Sequence, residues 1–300
     1  MKKSIVLLIT LALIIALSTF IAIGLFRSDQ ASQTVQKKNS IIQISTLLHN
    51  ITDILSQKSG EINSTEGLEM LILLPIELQT KSLSLHISFD SAAKGINPNN
   101  ILFQEHNKSR LNPDYILLFD RILQSVQIQN KELFLALLED TLDKDLEERI
   151  PGSEIALYNK RFVQGKIENF QKFQMLIDQY VKLTEDNAIY QIPWKEILSF
   201  YHKKIDFNYI SPKLLRYMVP YMDEETIQNI TLKKKMSFSA WKDIRIAQEY
   251  KKELQKFQIA FYVPVIRAKV TFKENTKKYN ATFIYDIKQK KVLDIGYKVD

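Results

Sequence analysis

Between Ile5 and Phe26 the chain runs IVLLITLALIIALSTFIAIGLF, 22 residues without a charge, and this run constrains the fold more than any other feature. At about 1.5 Å of rise per residue, a helix of that length crosses a hydrocarbon core of about 30 Å. A secretory signal has an apolar region of only about 7–15 residues closed by a small-residue cleavage site, so the run reads as a transmembrane helix. Lys2, Lys3 and the α-amine precede it, whereas Arg27, offset by Asp29, is the only basic residue between the run and Lys37. The positive-inside rule then keeps the N-terminus in the cytoplasm. A single-pass membrane protein with its bulk outside the cytoplasm is expected.

Beyond the run, Ile41, Ile44, Leu47, Leu48, Ile51, Ile54 and Leu55 recur at spacings of three and four, which extends the helix with one apolar stripe. Gly60 is a natural place for it to stop. Ser82–Phe89 (SLSLHISF) alternates strictly and predicts a strand with one buried face. From Asp114 to about Leu254 the pattern is almost wholly helical, for example Tyr115–Val126 and Lys131–Leu142. Ser211-Pro212 opens one further helix as N-cap and first residue, and Asp223 caps the next. VIRAKVTFKE, YNATFIYDI and KVLDIGYKV near the end predict an antiparallel meander. The expected fold is therefore α+β: a long N-terminal helix packed on a small antiparallel sheet, with a large all-helical lobe inserted between its strands.

Composition narrows function by exclusion. The chain has no cysteine, so disulfides, thiolate metal sites and a cysteine nucleophile are ruled out. Its formal charge of +7 comes from scattered lysines, a pattern ordinary for solvated faces. His49, His86, His106 and His202 are dispersed, and no nucleotide-binding or zinc-protease signature occurs. No catalytic residue is expected. The hairpin turn Val219-Pro220-Tyr221-Met222-Asp223-Glu224-Glu225 offers proline and carboxylates where a phosphate-binding turn needs glycine N–H groups, so direct contact with nucleic acid is not expected there.

Three segments carry a family resemblance. Phe89-Asp90 leads to Ile96-Asn97-Pro98-Asn99; Ala136–Asp145 is an apolar helix ending in D-x-x-D-x-D; and Ile205–Leu215 reads IDFNYISPKLL. In that order, behind a short basic leader and an apolar helix, they resemble the K-type minor pseudopilin of type II secretion, a member of the type IV pilin-like superfamily. The resemblance covers Ile5 to about Ile230. Departures are Asp206 in place of the first asparagine of the third motif and Ser4 where a glycine normally precedes the prepilin peptidase cut.

The resemblance implies a leader of residues 1–4, with cleavage between Ser4 and Ile5, and a transmembrane and amphipathic helix over 5–59. It implies a pilin-like α/β domain from 60–103 and 255–300, and a helical domain over 104–254. Ile9 would occupy the fifth mature position, where most pilins carry glutamate. The function implied is non-enzymatic: a subunit at the tip of a periplasmic pseudopilus that supports protein secretion, with the I-type and J-type minor pseudopilins, the inner membrane and prepilin peptidase as partners. Two other readings stay open at this point, a DNA receptor or pseudopilus component of a competence system and a plain signal anchor carrying a hydrolase. The family carries calcium in its helical lobe, and Asp140, Asp143, Asp145 and Glu154 are the matching candidate ligands. Its pattern Gly-Ala-Glu-Asp-x-x-Tyr reads Gly152-Ser153-Glu154-Ile155-Ala156-Leu157-Tyr158 here, with Ile155 replacing a carboxylate. The competing reading is a solvated acidic helix end with Lys144 and Arg149 as local counterions.

Overall fold

The computed structural model describes residues 11, 14–15, 33–80, 83–105, 108–143, 145–232, 237–274 and 277–299. Of the apolar run only Leu11, Ile14 and Ile15 are described, and they are helical. The expected cleavage at Ser4 and Ile5, and position Ile9, lie outside the described residues. Among the described residues no helix is long and apolar enough to cross a membrane.

In chain order the elements are α1 (Gln33–Gln57), α2 (Ser59–Ile62), α3 (Thr65–Leu73), β1 (Ile76–Gln79), β2 (Leu83–Ser91), β3 (Leu102–Glu105), β4 (Lys108–Leu111), α4 (Pro113–Gln124), α5 (Lys131–Leu142), α6 (Ile155–Tyr158), α7 (Phe170–Thr184), α8 (Trp194–Ile197), β5 (Ile205–Asp206), α9 (Pro212–Met218), α10 (Glu224–Thr231), α11 (Gln248–Gln255), β6 (Ile259–Ala260), β7 (Val265–Glu274), β8 (Lys277–Asp286) and β9 (Lys291–Val299). The chain divides into two compact units, one formed by Met1–Ala92 and Pro264–Asp300, the other by Ala93–Val263. The division falls at 92/93 and 263/264, where the sequence suggested 103/104 and 254/255. Asn97, Asn99 and Asn100 donate to the backbone oxygens of Phe200, Ile167 and Lys203, far along the inserted unit, and this gathers residues 93–103 into it.

The first unit is built on a five-stranded antiparallel sheet ordered β1-β2-β7-β8-β9. Alternation sorts its faces: Leu85, Ile87 and Phe89 of β2, Ala268 and Val270 of β7, and Ala281 and Phe283 of β8 are all buried on one side. Leu47, Leu48, Ile51, Ile54 and Leu55 form the buried stripe of α1, as the spacing predicted. Tyr285 of β8 lies close enough to Ser56 and Asp53 of α1 to feel both. The helix ends at Gln57, but Gly60 does not stop the helical course: it sits inside α2, and α3 follows. Ser64 caps α3 by accepting from Gly67 N–H at 3.0 Å, and Leu68 and Leu71, three apart, are buried.

The inserted unit packs one large apolar core drawn from α4, α5, α7, α8, α9 and α10. Phe134, Phe173 and Trp194 form its centre, with ring centroids 5.7 Å apart for Phe134–Trp194, 6.1 Å for Phe134–Phe173 and 5.0 Å for Phe173–Trp194. Each such pair adds about 0.5–1.5 kcal/mol to burial alone. The helices start where caps allow: Asn130 accepts from Leu133 N–H (2.9 Å), Ser211 from Leu214 N–H (3.2 Å), and Asp223 from Thr226 N–H (2.7 Å). The unit is less helical than its sequence suggested. Between α5 and α7 the chain is irregular apart from the four residues of α6, Gly152 and Gly165 take φ of +91° and +96°, and β3 pairs with β4 in a hairpin. A side chain is excluded at Gly95, where a Cβ would lie 2.6 Å from the backbone oxygen of Ile197. That close approach lets Ile96 exchange hydrogen bonds with Ile197 O and Ser199 N–H, both at 2.8 Å.

Candidate functional site

Three places in the molecule were candidates on chemical grounds: the two asparagine motifs, the acidic helix end, and the outer strand of the sheet. The motif residues turn out to be clips. Asn97 Nδ2 donates to the backbone oxygens of Phe200 (3.3 Å) and His202 (3.2 Å), and its Oδ1 accepts from Asn99 N–H (3.0 Å). Asn99 binds both backbone groups of Ile167, at 2.8 and 2.7 Å, in the manner of a paired strand residue. Asn208 does the same to Phe238, at 2.9 and 2.8 Å, and also donates to Phe261 O at 2.7 Å. Asp206, fully buried, donates its N–H to Ala93 O (2.8 Å), accepts from Asn208 N–H (3.1 Å) and accepts from Val263 N–H (3.3 Å). One residue thus holds both the first residue of the inserted unit, through its backbone N–H, and the last, through its carboxylate. A cavity of about 270 Å³ beside Asn97 and Asn99 is also lined by Lys166, Phe200, His202 and Lys203. The Nδ1 of His202 accepts from Lys204 N–H at 3.0 Å.

At the end of α5, Asp140 is completely buried. Its Oδ1 takes Arg149 Nη1, and its Oδ2 accepts from the Ser153 hydroxyl and from Arg149 N–H at 3.2 Å. The same guanidinium reaches Glu139 through Nε at 3.0 Å and Asp143 through Nη1 at 2.6 Å. Asp145 and Glu154, the other two residues singled out from the sequence, point to different work. Asp145 accepts from Glu147 N–H (3.0 Å), while Glu154 caps α6 through Ala156 N–H (3.0 Å) and accepts from Gln164 Nε2 (2.6 Å). Gln164 also donates to the backbone oxygen of Asp145. Among the described residues, Asp143 Oδ1 and Thr141 Oγ1 are buried without a hydrogen-bond partner. Among the described residues, no three acidic or histidine side chains are grouped as a metal site.

Burial acts on three of the carboxyls here. It raises the carboxyls of Glu139, Asp143 and Glu154 above the usual range, in each case against hydrogen bonds that pull the other way. For Arg149 burial acts downward, but the hydrogen bonds it donates to Asp140 and Asp143 and the charge of Glu139 outweigh it, so the guanidinium is held more firmly charged than usual.

The outer strand is different in kind. Two register rows cross the sheet, Phe89–Ala268–Phe283–Ile295 and Ile87–Val270–Ala281–Tyr297. Their first three members are at most 4% exposed, whereas Ile295 is 43% and Tyr297 46% exposed. The apolar face of the sheet therefore runs on into an exposed strand, and among the described residues β9 has no neighbour on its outer side. Lys288, Lys290 and Lys291 beside it are exposed. The sequence showed the alternation in KVLDIGYKV but not that one face of the strand lies open. The histidines contribute no cluster: His49 sits by Asp53 on α1 (3.4 Å), His86 by Glu77 across β1 and β2 (3.0 Å), and His106 lies outside the described residues.

No protein-family model matches the chain, and no curated protein does. Among solved structures, a chain of the crystal structure of the GspK-GspI-GspJ complex from the enterotoxigenic Escherichia coli type 2 secretion system is similar over 89% of this chain and 98% of its own length, with a TM-score of 0.56 at 11% identity. At that identity the likeness is one of fold: a mixed helical and antiparallel-sheet chain of the kind found in that complex.

Proposed function

We propose that this chain is a non-enzymatic minor pseudopilin of the K type, which works at the tip of a periplasmic pseudopilus in a type II-like secretion system. The observation that carries the reading is the extent of the fold likeness, which takes in the sheet unit and the inserted unit together. The three ordered sequence motifs support it, since they lie where they would hold an inserted unit together. In this reading residues 5–26 anchor the chain in the inner membrane, prepilin peptidase removes residues 1–4, and the bulk is periplasmic. Ile9 suits the topmost subunit, because a carboxylate buried there would have no partner amine above it and would be costly.

The partners in this reading are two other pilin-like subunits, of the I and J types, as in the complex just described. The open row of β9 is the surface we assign to one of them. Its exposed lysines disfavour a second copy, whose own β9 edge would bring like charge against like, and favour a different subunit with an acidic rim around an apolar patch. The test is co-purification of the full chain, in detergent, with its candidate minor partners. A complex with both is expected, and Ile295→Asp together with Tyr297→Asp should release one partner while leaving the melting midpoint within about 2 °C, because both residues are already half exposed. A chain that stays monomeric with every candidate would overturn the reading.

A further inference from the structure

We infer that Arg149 is the built-in counter-cation of the carboxylates at the end of α5, and that the inserted unit therefore folds without a bound divalent ion. Calcium needs about six to eight oxygens converging at about 2.3–2.6 Å. Here the point on which Glu139 Oε1, Asp140 Oδ1 and Asp143 Oδ2 converge is filled by the guanidinium itself, with contacts of 3.0 Å to Glu139 and 2.6 Å to Asp143. The planar fork of arginine can serve several acceptors at once.

The remaining oxygens are committed in the same sense. Asp140 Oδ2 faces two donors, the Ser153 hydroxyl and the Arg149 amide. Ser153 in turn accepts from Ile150 N–H at 3.1 Å, and Glu148 accepts from Gly152 N–H at 2.9 Å. The loop carrying Arg149 is thus folded back so that its own backbone and side chain saturate Asp140. Glu154 is turned away toward Ala156 and Gln164. The next residue, Ile155, is 3% exposed and belongs to the apolar core, so it adds packing where a ligand would add charge. Asp143 Oδ1 is the one oxygen of the three converging carboxylates that lies buried with no partner. A single oxygen does not make a calcium site.

Both tryptophans, Trp194 and Trp241, lie in the inserted unit, so the intrinsic fluorescence of the full chain in detergent reports on that unit. Thermal melts of the wild-type protein should coincide in millimolar calcium and in excess chelator. Arg149→Met keeps the apolar stem and removes the charge, and it should lower the midpoint by about 5 to 10 °C, because it leaves a buried aspartate without its partner. Arg149→Lys should restore part of the loss. A wild-type midpoint that falls with chelator or rises with calcium would overturn the inference, as would an Arg149→Met protein as stable as the wild type. Should Arg149→Met fail to fold, the calcium and chelator arms on the wild-type protein still decide.

Discussion

Asp206 shows how much one residue can organise. Its N–H and Oδ2 bind the first and last residues of the inserted unit, and its Oδ1 shapes the turn that places Asn208. In Asp206→Ala the amides of Asn208 and Val263 lose an acceptor. At about 1–3 kcal/mol for each buried donor left unpaired, a loss of about 3 kcal/mol is expected in urea unfolding followed by tryptophan fluorescence. Asp206→Asn keeps one acceptor oxygen and should lose about half as much. A variant that melts like the wild type would show that the clip is redundant. Arg149 makes a related point about legibility. The sequence offered it, with Lys144, as one of two local counterions on a solvated helix end, since nothing in the order of residues says that Asp140 is buried. The loop that encloses Asp140 owes its shape to contacts made at a distance, and local patterns are silent on those.

At the scale of elements, the features readable in the chain were those decided within about ten residues. Lys131–Leu142 forms with the boundaries its apolar spacing indicated, the meander strands β7 to β9 fall where alternation placed them, and Ser211 caps α9 with Pro212 in first position. Ser211→Ala should destabilise the inserted unit by about 1 kcal/mol, and Ser211→Asp should be close to neutral because it can cap in the same way; comparing urea midpoints of the two checks this. What was not readable was decided by packing. Helix α3 lay in a stretch with no long period, and its reason to form is the burial of Leu68 and Leu71. The irregular course over 145–169 is fixed by remote partners, such as Gln164 with the backbone of Asp145 and Asn99 with Ile167. The open face of β9 was invisible for the same reason: exposure depends on where the covering helix stops.

On the scale of the whole molecule, the chain leaves the sheet at the end of β2 and returns at the start of β7, and there Ala92 N–H bonds Val265 O at 3.0 Å. These two strands pair along nine residues of each, yet everything from Ala93 to Val263 intervenes between them. Closing so long a loop in an unfolded chain costs about 2 to 3 kcal/mol more than closing a short hairpin, because the entropy grows with the logarithm of its length. A folded insertion whose two ends are already clasped removes that difference. The order of events follows: in stopped-flow refolding, tryptophan burial in the inserted unit should precede formation of the sheet, followed by far-ultraviolet dichroism, and Asp206→Ala should delay the second phase more than the first. For a sheet interrupted by so long an insertion this is a timing device. Until the clasp shuts, β2 has only β1 beside it and β7 only β8, so a hairpin and a meander each expose an unpaired edge; once it shuts, β2 and β7 close the five-stranded sheet in one step.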